Sequence, residues 1–287
     1  MKIKKVIIGF FLLTLTNFLF SQKTKIAFDK QSKVILDLPY NKNQAQKLDI
    51  YLPKNSNSNT KVIFFVHGGG WFLGNKDEAV HWAKYFQNRE YAVVCLNYRL
   101  IHTEEKNVLS TQITDINSAI NFTLHKAKEW NISNSKLIIM GASAGGQLAL
   151  LYAYKYNNDK KIKAAISFCG ATDLTDKRLI QAEFAGYKMG TIIKWLIGDT
   201  ITNNPTAWKV ASPINCISKT SIPTFFLHGK ADEIIPYQQS ARAYTVLKSF
   251  GINSQLELLE NVPHDLLSVD LTEQLSKADK FIRKNVF

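Results

Sequence analysis

The chain has 287 residues, of which 46% are hydrophobic, and its formal net charge is +13 at pH 7. This length and apolar content are enough for a large core in one domain, and no repeat or low-complexity array is present. The lysines are scattered and are not interleaved with aromatic residues as a base-stacking surface requires, which argues against nucleic-acid binding. We expect a solvated basic surface, suited to acidic glycans or cell-surface polymers.

The N-terminus has the pattern of a secretory signal peptide. Residues 1–5 are basic, residues 6–20 are mostly apolar, and the small residue Ser21 follows. The apolar run is short for a membrane-spanning helix, which needs about 20 apolar residues. We predict that residues 1–21 are removed, that the mature protein is exported to the periplasm or the medium without a membrane span, and that residues 22–287 form one domain. A retained membrane anchor is the alternative.

A glycine-rich loop follows the first strongly predicted buried strand. The strand covers residues 61–66, and the sequence His-Gly-Gly-Gly-Trp occupies residues 67–71. Three consecutive glycines cost chain entropy and contribute no packing, but they offer bare backbone N–H groups at close range. Loops of this kind form part of the oxyanion hole in lipases and esterases. The loop therefore predicts oxyanion-binding N–H groups at Gly69 and Gly70, with a purely structural turn as the alternative.

The two residues that flank these glycines are expected to have different roles. His67 is interpreted as structural, because its imidazole can hold the glycine loop in place by hydrogen bonds. Trp71 is expected to line the pocket for the acyl or alcohol part of a substrate.

The pentapeptide Gly-Ala-Ser-Ala-Gly at residues 141–145 lies between a predicted strand, 136–140, and a predicted helix that begins near Gln147. A bare G-x-S-x-G pattern occurs by chance, but a serine on a sharp strand-to-helix turn is held with its hydroxyl exposed. The first N–H groups of the helix point at the same spot, where the helix dipole favours negative charge. We predict that Ser143 is a nucleophile and that the N–H of Ala144 binds an oxyanion.

Together these motifs resemble the α/β-hydrolase fold, and within it the esterase/lipase branch that includes hormone-sensitive-lipase-like enzymes and acetyl-xylan and feruloyl esterases. The resemblance covers about residues 45–285. It implies a mostly parallel central sheet with helices on both faces and a short cap insertion. The motifs are specific for the fold and poorly specific for the substrate. Further segments similar to the family are residues 47–53, 93–100, 228–236 and 262–264.

Chain order in this fold places an acid and then a histidine after the nucleophile. Two histidines follow Ser143, namely His228 and His264. His264 comes after the last predicted strand, 256–259, where the family's base lies. His228 ends the predicted strand 224–227 within a His-Gly turn and is interpreted as shaping that loop. His67 precedes Ser143 and so does not fit the position of the base.

Three carboxylates could supply the acid. Asp232 follows a predicted strand and precedes Pro236, which matches the position of the family's acid. Asp173, which follows the predicted strand 164–168, is the rival. Glu233 is expected to point away from the site. We therefore predict Asp232 as the acid.

The resemblance implies acyl transfer through a covalent intermediate. His264 would take the proton of Ser143 and later protonate the leaving group, while Asp232 would hold the imidazole in the required tautomer. This chemistry requires no metal and no other cofactor, and no Cys/His spacing suggests a metal site. Of the three cysteines, Cys95 and Cys169 lie in apolar runs and are expected to be buried, and no disulfide is predicted.

Residues 172–222 are the least similar to the family, and helical patterning is present around residues 191–196. In this fold such an insertion often covers the active site as a cap, and packing of the insertion onto the sheet is an equal alternative. Its large apolar side chains are Phe184, Tyr187, Met189, Trp195 and Trp208.

The leading hypothesis is a secreted serine carboxylesterase that acts on short acyl esters, including acetyl or feruloyl esters of plant polysaccharide. Alternatives within the fold are a lipase, an arylformamidase and a serine peptidase, although the chain has no room for the N-terminal propeller of the prolyl-oligopeptidase type. A catalytically inactive binding protein is an alternative from a different class, and the intact triad argues against it.

Overall fold

The computed structural model describes residues 32–101, 108–266 and 269–287. The predicted signal peptide lies outside these ranges. Within them, every helix is too short or too polar to cross a bilayer.

The main feature of the structure is a twisted sheet of eight strands, in the order β1-β2-β4-β3-β5-β6-β9-β10 once the strands are numbered along the chain. Strand β2 alone runs opposite to the others, and the six strands from β4 to β10 in this order are mutually parallel. The remaining two strands pair as a small hairpin. The strands are β1 (Lys33–Pro39), β2 (Lys47–Leu52), β3 (Val62–Val66), β4 (Ala92–Leu96), β5 (Leu137–Ala142), β6 (Ile162–Phe168), β7 (Glu183–Phe184), β8 (Tyr187–Lys188), β9 (Thr224–Gly229) and β10 (Ser254–Leu259).

Helices cover both faces of this sheet. Helices α1 and α8 pack on one face, while α2, α3 and α7 pack on the other. Strand β3 shows why the strand sequences are continuously apolar: Phe64 and Phe65 point into opposite cores, and both are buried. The helices are α1 (Val80–Gln87), α2 (Leu109–Trp130), α3 (Ala144–Leu151), α4 (Lys177–Gln181), α5 (Met189–Ile197), α6 (Pro205–Val210), α7 (Gln238–Ser249) and α8 (Thr272–Asn285).

This architecture is the α/β-hydrolase fold, and the predicted fold class is confirmed. Because β3, β5, β6 and β9 are parallel, the loops that follow them all lie at the same edge of the sheet. That edge carries the glycine-rich loop, the turn at Ser143 and the segment around Asp232.

The insertion at residues 172–222 combines core packing with a contact at the glycine-rich loop. Helix α5 coincides with the predicted helical pattern, and it buries Ile192, Ile193 and Leu196 in the main core. The β7–β8 hairpin turns through Ala185 and Gly186, both with positive φ. It places the Phe184 side chain against Gly70 of the glycine-rich loop.

Candidate active site

The turn at Ser143 is strained and has room only for glycine at several positions. Ser143 lies at the N-terminus of α3 with φ 53° and ψ −121°, a conformation that non-glycine residues rarely adopt. Its backbone N–H donates to the carbonyl of Phe168 at 2.8 Å, which anchors the turn to the end of β6. A Cβ on Gly145 would overlap the carbonyl oxygens of Val66 and His67. The sequence thus enforces a tight turn that presents the Ser143 side chain at the edge of the sheet.

The structure brings Ser143, His264 and Asp232 into one hydrogen-bonded chain. His264 Nε2 lies 2.9 Å from Ser143 Oγ, and His264 Nδ1 lies 2.7 Å from Asp232 Oδ2. The neutral imidazole then donates its Nδ1–H to Asp232 and accepts the hydroxyl proton of Ser143. The His264 side chain is 12% exposed and that of Asp232 is fully buried. This arrangement can deprotonate the Ser143 hydroxyl.

The Asp232 carboxylate is held by four N–H donors. Its Oδ1 accepts from the backbone amides of Ile234 at 2.9 Å and Ile235 at 2.7 Å. Its Oδ2 accepts from His264 and also from His228 Nε2 at 3.1 Å. Burial acts to raise the pKa of this carboxyl, but the hydrogen bonds from His228 and His264 outweigh it and lower the pKa to about 2. Asp232 is therefore ionised at neutral pH.

The imidazole of His264 is more basic than an ordinary histidine. Burial alone would lower its pKa, but Cys169 and the Asp232 carboxylate act in the opposite direction and leave the pKa well above 6.5. A base of this kind is a strong proton acceptor once it is neutral.

Cys169 is a neighbour of the imidazole that sequence reasoning placed only in the core. It is buried, as expected, but it follows β6 with φ 42° and donates its thiol to the carbonyl of His264, with Sγ 3.7 Å from the oxygen. Its Sγ lies within 4.8 Å of a ring nitrogen of His264 and a carboxylate oxygen of Asp232. The sequence signal that could have identified it is its place directly after a parallel strand.

The glycine-rich loop packs against the turn at Ser143. A Cβ on Gly68 would lie 3.3 Å from Ser143 Cβ, so the two segments are in contact. Gly69 and Gly70 have φ values of 97° and 58°, which favour glycine. Within the described part of the chain, no acceptor takes a hydrogen bond from their N–H groups. Ala144 is the first residue of α3, where the N–H has no intrahelical partner.

His67 fixes this loop, as predicted. It is almost fully buried, and its Nδ1 donates to the carbonyl of Gly68 at 2.8 Å. The imidazole stacks on Tyr98 at a ring distance of 4.3 Å, and the Tyr98 hydroxyl donates to the His67 carbonyl at 3.0 Å. Burial lowers the pKa of His67 to about 4, so the ring is neutral.

The expectation that the Trp71 side chain lines the substrate pocket is wrong. Its indole is fully buried in the core, and Nε1 donates to the side-chain oxygen of Gln147 at 2.9 Å. Gln147 in turn donates to the carbonyl of Ala211 in the insertion. With φ at 66°, the backbone at Trp71 turns the side chain inward, where it joins the glycine-rich loop to α3 and the insertion.

A different set of aromatic residues lies beside the glycine-rich loop. A Cβ on Gly70 would come within 2.8 Å of the Phe184 ring, so this hairpin residue is packed directly against the loop. Phe72 makes edge contacts with Phe184, Tyr187 and Trp195 at ring distances of 6.1–6.2 Å. We call these four residues the aromatic cluster. The sequence pointed to three of them, but the two-residue strands that position Phe184 and Tyr187 are too short to predict.

The rival carboxylates lie in other hydrogen-bond networks. Asp173 Oδ1 accepts from the hydroxyl of Thr175 at 2.6 Å, and Oδ2 forms an ion pair with Arg242 at 3.5 Å. Glu233 accepts a long hydrogen bond, 3.4 Å, from the backbone N–H of His264 and does not contact its ring. Asp232 is thus the carboxylate that the structure places on the imidazole.

Comparisons with known proteins agree with an esterase of the α/β-hydrolase fold. The family BD-FAE matches residues 48–247, more than half of the chain, and the chain therefore belongs to that family. Among the relatives is the probable carboxylic ester hydrolase LipM of Mycobacterium tuberculosis, 28% identical over 62% of this chain and 43% of LipM, so the chain spans less than half of LipM. The kynurenine formamidase of Danio rerio is 28% identical over 89% of this chain and 83% of its own length. The structure of a truncated carbohydrate esterase from gut microbiota superposes with a TM-score of 0.74 over 90% of this chain and 98% of that one, at 21% identity.

Proposed function

We propose that the protein is a serine carboxylesterase. The observation that carries this proposal is the hydrogen-bonded chain from Ser143 through His264 to the buried Asp232. The assignment is supported by membership of the BD-FAE family and by relatives named as ester hydrolases.

The geometry supports a two-stage reaction. Ser143 Oγ attacks the ester carbonyl carbon as its proton passes to His264 Nε2, and the carbonyl oxygen becomes an oxyanion. The N–H groups of Gly69, Gly70 and Ala144 would bind that oxyanion. Collapse of the intermediate breaks the C–O bond of the ester, and the departing alkoxide takes the proton from His264. Water then attacks the acyl-enzyme, with His264 as the base, and releases the acid and free Ser143.

The imidazolium formed in each stage is stabilised by Asp232. Because the pKa of Asp232 is lowered to about 2, its carboxylate remains charged throughout the neutral pH range.

Removal of one oxyanion-hole donor typically costs about 2.7–4 kcal/mol of transition-state stabilisation. Each N–H donor of the glycine-rich loop would therefore contribute to the rate, although less than a member of the triad.

We expect a preference for short acyl chains. The aromatic cluster, with Phe184 packed against Gly70, leaves little room beside the proposed oxyanion site. A buried methylene adds about 0.8 kcal/mol of binding only where the pocket can accept it. With p-nitrophenyl esters, kcat/KM should be highest between acetyl and butyryl and should fall at least about tenfold at decanoyl. A maximum at long chains, or activation at an oil–water interface, would instead indicate a lipase.

A pair of variants tests whether Phe184 sets the preference for short acyl chains. Phe184→Ala should raise the ratio of decanoyl to acetyl kcat/KM, because it removes the ring next to Gly70. Trp71→Phe should leave that ratio unchanged, because the Trp71 side chain is buried in the core.

The natural substrate proposed is an ester of a polysaccharide whose acyl group is acetyl. A feruloyl ester is the alternative, and this larger acyl group would require more room beside Phe184 than the preference for short chains assumes. Support comes from the BD-FAE family and from the fold shared with a carbohydrate esterase of gut microbiota. Acetylated and feruloylated xylo-oligosaccharides should therefore be turned over with a higher kcat/KM than the methyl ester of the same acid, whose leaving group is also an alkoxide. An equal or lower value would argue against a polysaccharide substrate.

An arylformamidase is the second candidate, because the kynurenine formamidase of Danio rerio matches along most of both chains. The same nucleophile can attack a formyl carbon, and the same N–H groups can bind the oxyanion that forms. Parallel assays with an aryl formamide and with phenyl acetate discriminate the two. A kcat/KM for the formamide that exceeds the ester value by tenfold or more would favour the second candidate.

Export is part of the proposal and rests on the pattern of residues 1–21. Protein recovered from the periplasm or medium should begin at or near Gln22, and intact-mass measurement will show this. Exported protein that still begins at Met1 would favour a membrane anchor.

A further inference from the structure

Two histidines donate to the same oxygen of the proposed catalytic acid. Asp232 Oδ2 accepts hydrogen bonds from Nδ1 of His264 at 2.7 Å and from Nε2 of His228 at 3.1 Å. His228 lies at the end of β9, four residues before Asp232, and its side chain is fully buried. In the mechanism above His228 has no role.

The contacts of His228 fix its tautomer. Nε2 faces two acceptors, Asp232 Oδ2 and the carbonyl of Ile235 at 2.9 Å, so Nε2 carries a proton. Nδ1 lies 2.7 Å from Ser240 Oγ on α7, and in the neutral ring it accepts the hydroxyl proton. Both ring nitrogens are therefore committed, and the ring cannot rotate without losing hydrogen bonds in a buried site.

We propose that His228 is a positioning residue for catalysis. It holds the Asp232 carboxylate at the angle from which Oδ2 accepts from His264, and its own hydrogen bond to Oδ2 weakens the attraction of that oxygen for the proton of His264. The proposal rests on the serine-hydrolase function proposed above. Ser240 completes the arrangement, because its hydroxyl keeps the donor nitrogen of His228 directed at Asp232.

This role has a consequence for the pH dependence of catalysis. A carboxylate oxygen that already accepts one hydrogen bond attracts the proton of His264 less strongly. Loss of the His228 donor should therefore raise the pKa of His264 and move the acid limb of kcat/KM to higher pH. Among the described residues, Cys169, after β6, and Glu233, after β9, are further titratable groups that contact His264. They are unchanged in the variants below.

The test compares His228→Met, which has no donor, with His228→Gln, whose amide can reach the position of Nε2. In His228→Met we expect the acid limb to rise by about 0.5–1 pH unit. We also expect kcat to fall roughly tenfold to 100-fold as the acid loses its orientation. His228→Gln should return the acid limb towards the wild-type position.

Gln239→Met is the matched structural control. Gln239 is buried on the same helix as Ser240, but it accepts from the amides of Thr172 and Asp173 and does not contact Asp232. The Gln239→Met substitution should lower the melting temperature without moving the acid limb of kcat/KM. If His228→Met behaves in the same way, His228 is merely structural and the inference is overturned.

A measurement on the wild-type protein covers the case in which His228→Met does not fold. With ¹⁵N-labelled histidine, the Nε2 signal of His228 should be that of a protonated nitrogen and the Nδ1 signal that of an unprotonated one. A proton on Nδ1 in the neutral ring would overturn the inference. Failure of the proposed function is distinguishable, because Ser143→Ala would then retain turnover whatever the state of His228.

Discussion

Ser143→Ala is expected to lower kcat for ester hydrolysis by about 10⁴-fold to 10⁶-fold, the usual loss when a serine hydrolase loses a member of its triad. The hydroxyl contacts Nε2 of His264 at 2.9 Å, and without it no nucleophile remains on the turn. The N–H groups of Gly69, Gly70 and Ala144 would still bind the substrate carbonyl, so KM should change less than kcat.

The fold should be unaffected by this substitution. Alanine keeps the Cβ of serine, so the backbone at φ 53° is strained to the same degree in both proteins. His264 is 12% exposed, so water can replace the lost hydroxyl on Nε2. Circular dichroism and thermal melting should match the wild type.

Ser167→Ala serves as the matched control, because Ser167 is buried on the neighbouring strand β6 and its hydroxyl has no hydrogen-bond partner within the described part of the chain. Its kcat should stay close to that of the wild type. A fluorophosphonate should label wild-type protein on the peptide that contains Ser143, and it should fail to label Ser143→Ala. Turnover by Ser143→Ala within tenfold of the wild type would show that Ser143 is not the nucleophile.

Much of the fold could be predicted because its strands are buried on both faces. The runs at residues 61–66 and 136–140 are apolar without alternation, as parallel strands between two helical layers require, and they correspond to β3 and β5 within one or two residues. The turn chemistry was equally local. Gly145 is needed because of a backbone overlap that any side chain would create, and that constraint is visible in the sequence as G-x-S-x-G.

What could not be predicted depends on contacts between distant parts of the chain. The position of Trp71 next to the glycines predicts a pocket residue, but the direction of its side chain is set by the positive φ of its backbone and by Gln147, 76 residues later. The His-Gly turn predicts that His228 shapes a loop, and its contact with Asp232 depends on how that loop folds back.

Asp232→Asn is expected to lower kcat by roughly 10⁴-fold through the wrong imidazole tautomer. Oδ1 and Oδ2 of Asp232 each accept from two N–H donors, so an asparagine amide must turn its NH₂ group towards donors in either orientation. With NH₂ at the Oδ2 position, it would donate to Nδ1 of His264 and drive the ring proton to Nε2. The imidazole could then no longer accept the proton of Ser143.

Asp173→Asn is the matched control for this substitution, because it makes the same chemical change on the rival carboxylate. Asp173 accepts from Thr175 and pairs with Arg242, and it has no contact with His264. Its kcat should therefore remain within about tenfold of the wild type, since only a turn and an ion pair are weakened. Kinetics on the two purified variants, with melting curves to show that both are folded, decides between the carboxylates. A larger loss of kcat in Asp173→Asn than in Asp232→Asn would assign the acid to Asp173 and leave the Asp232–His264 contact a structural one.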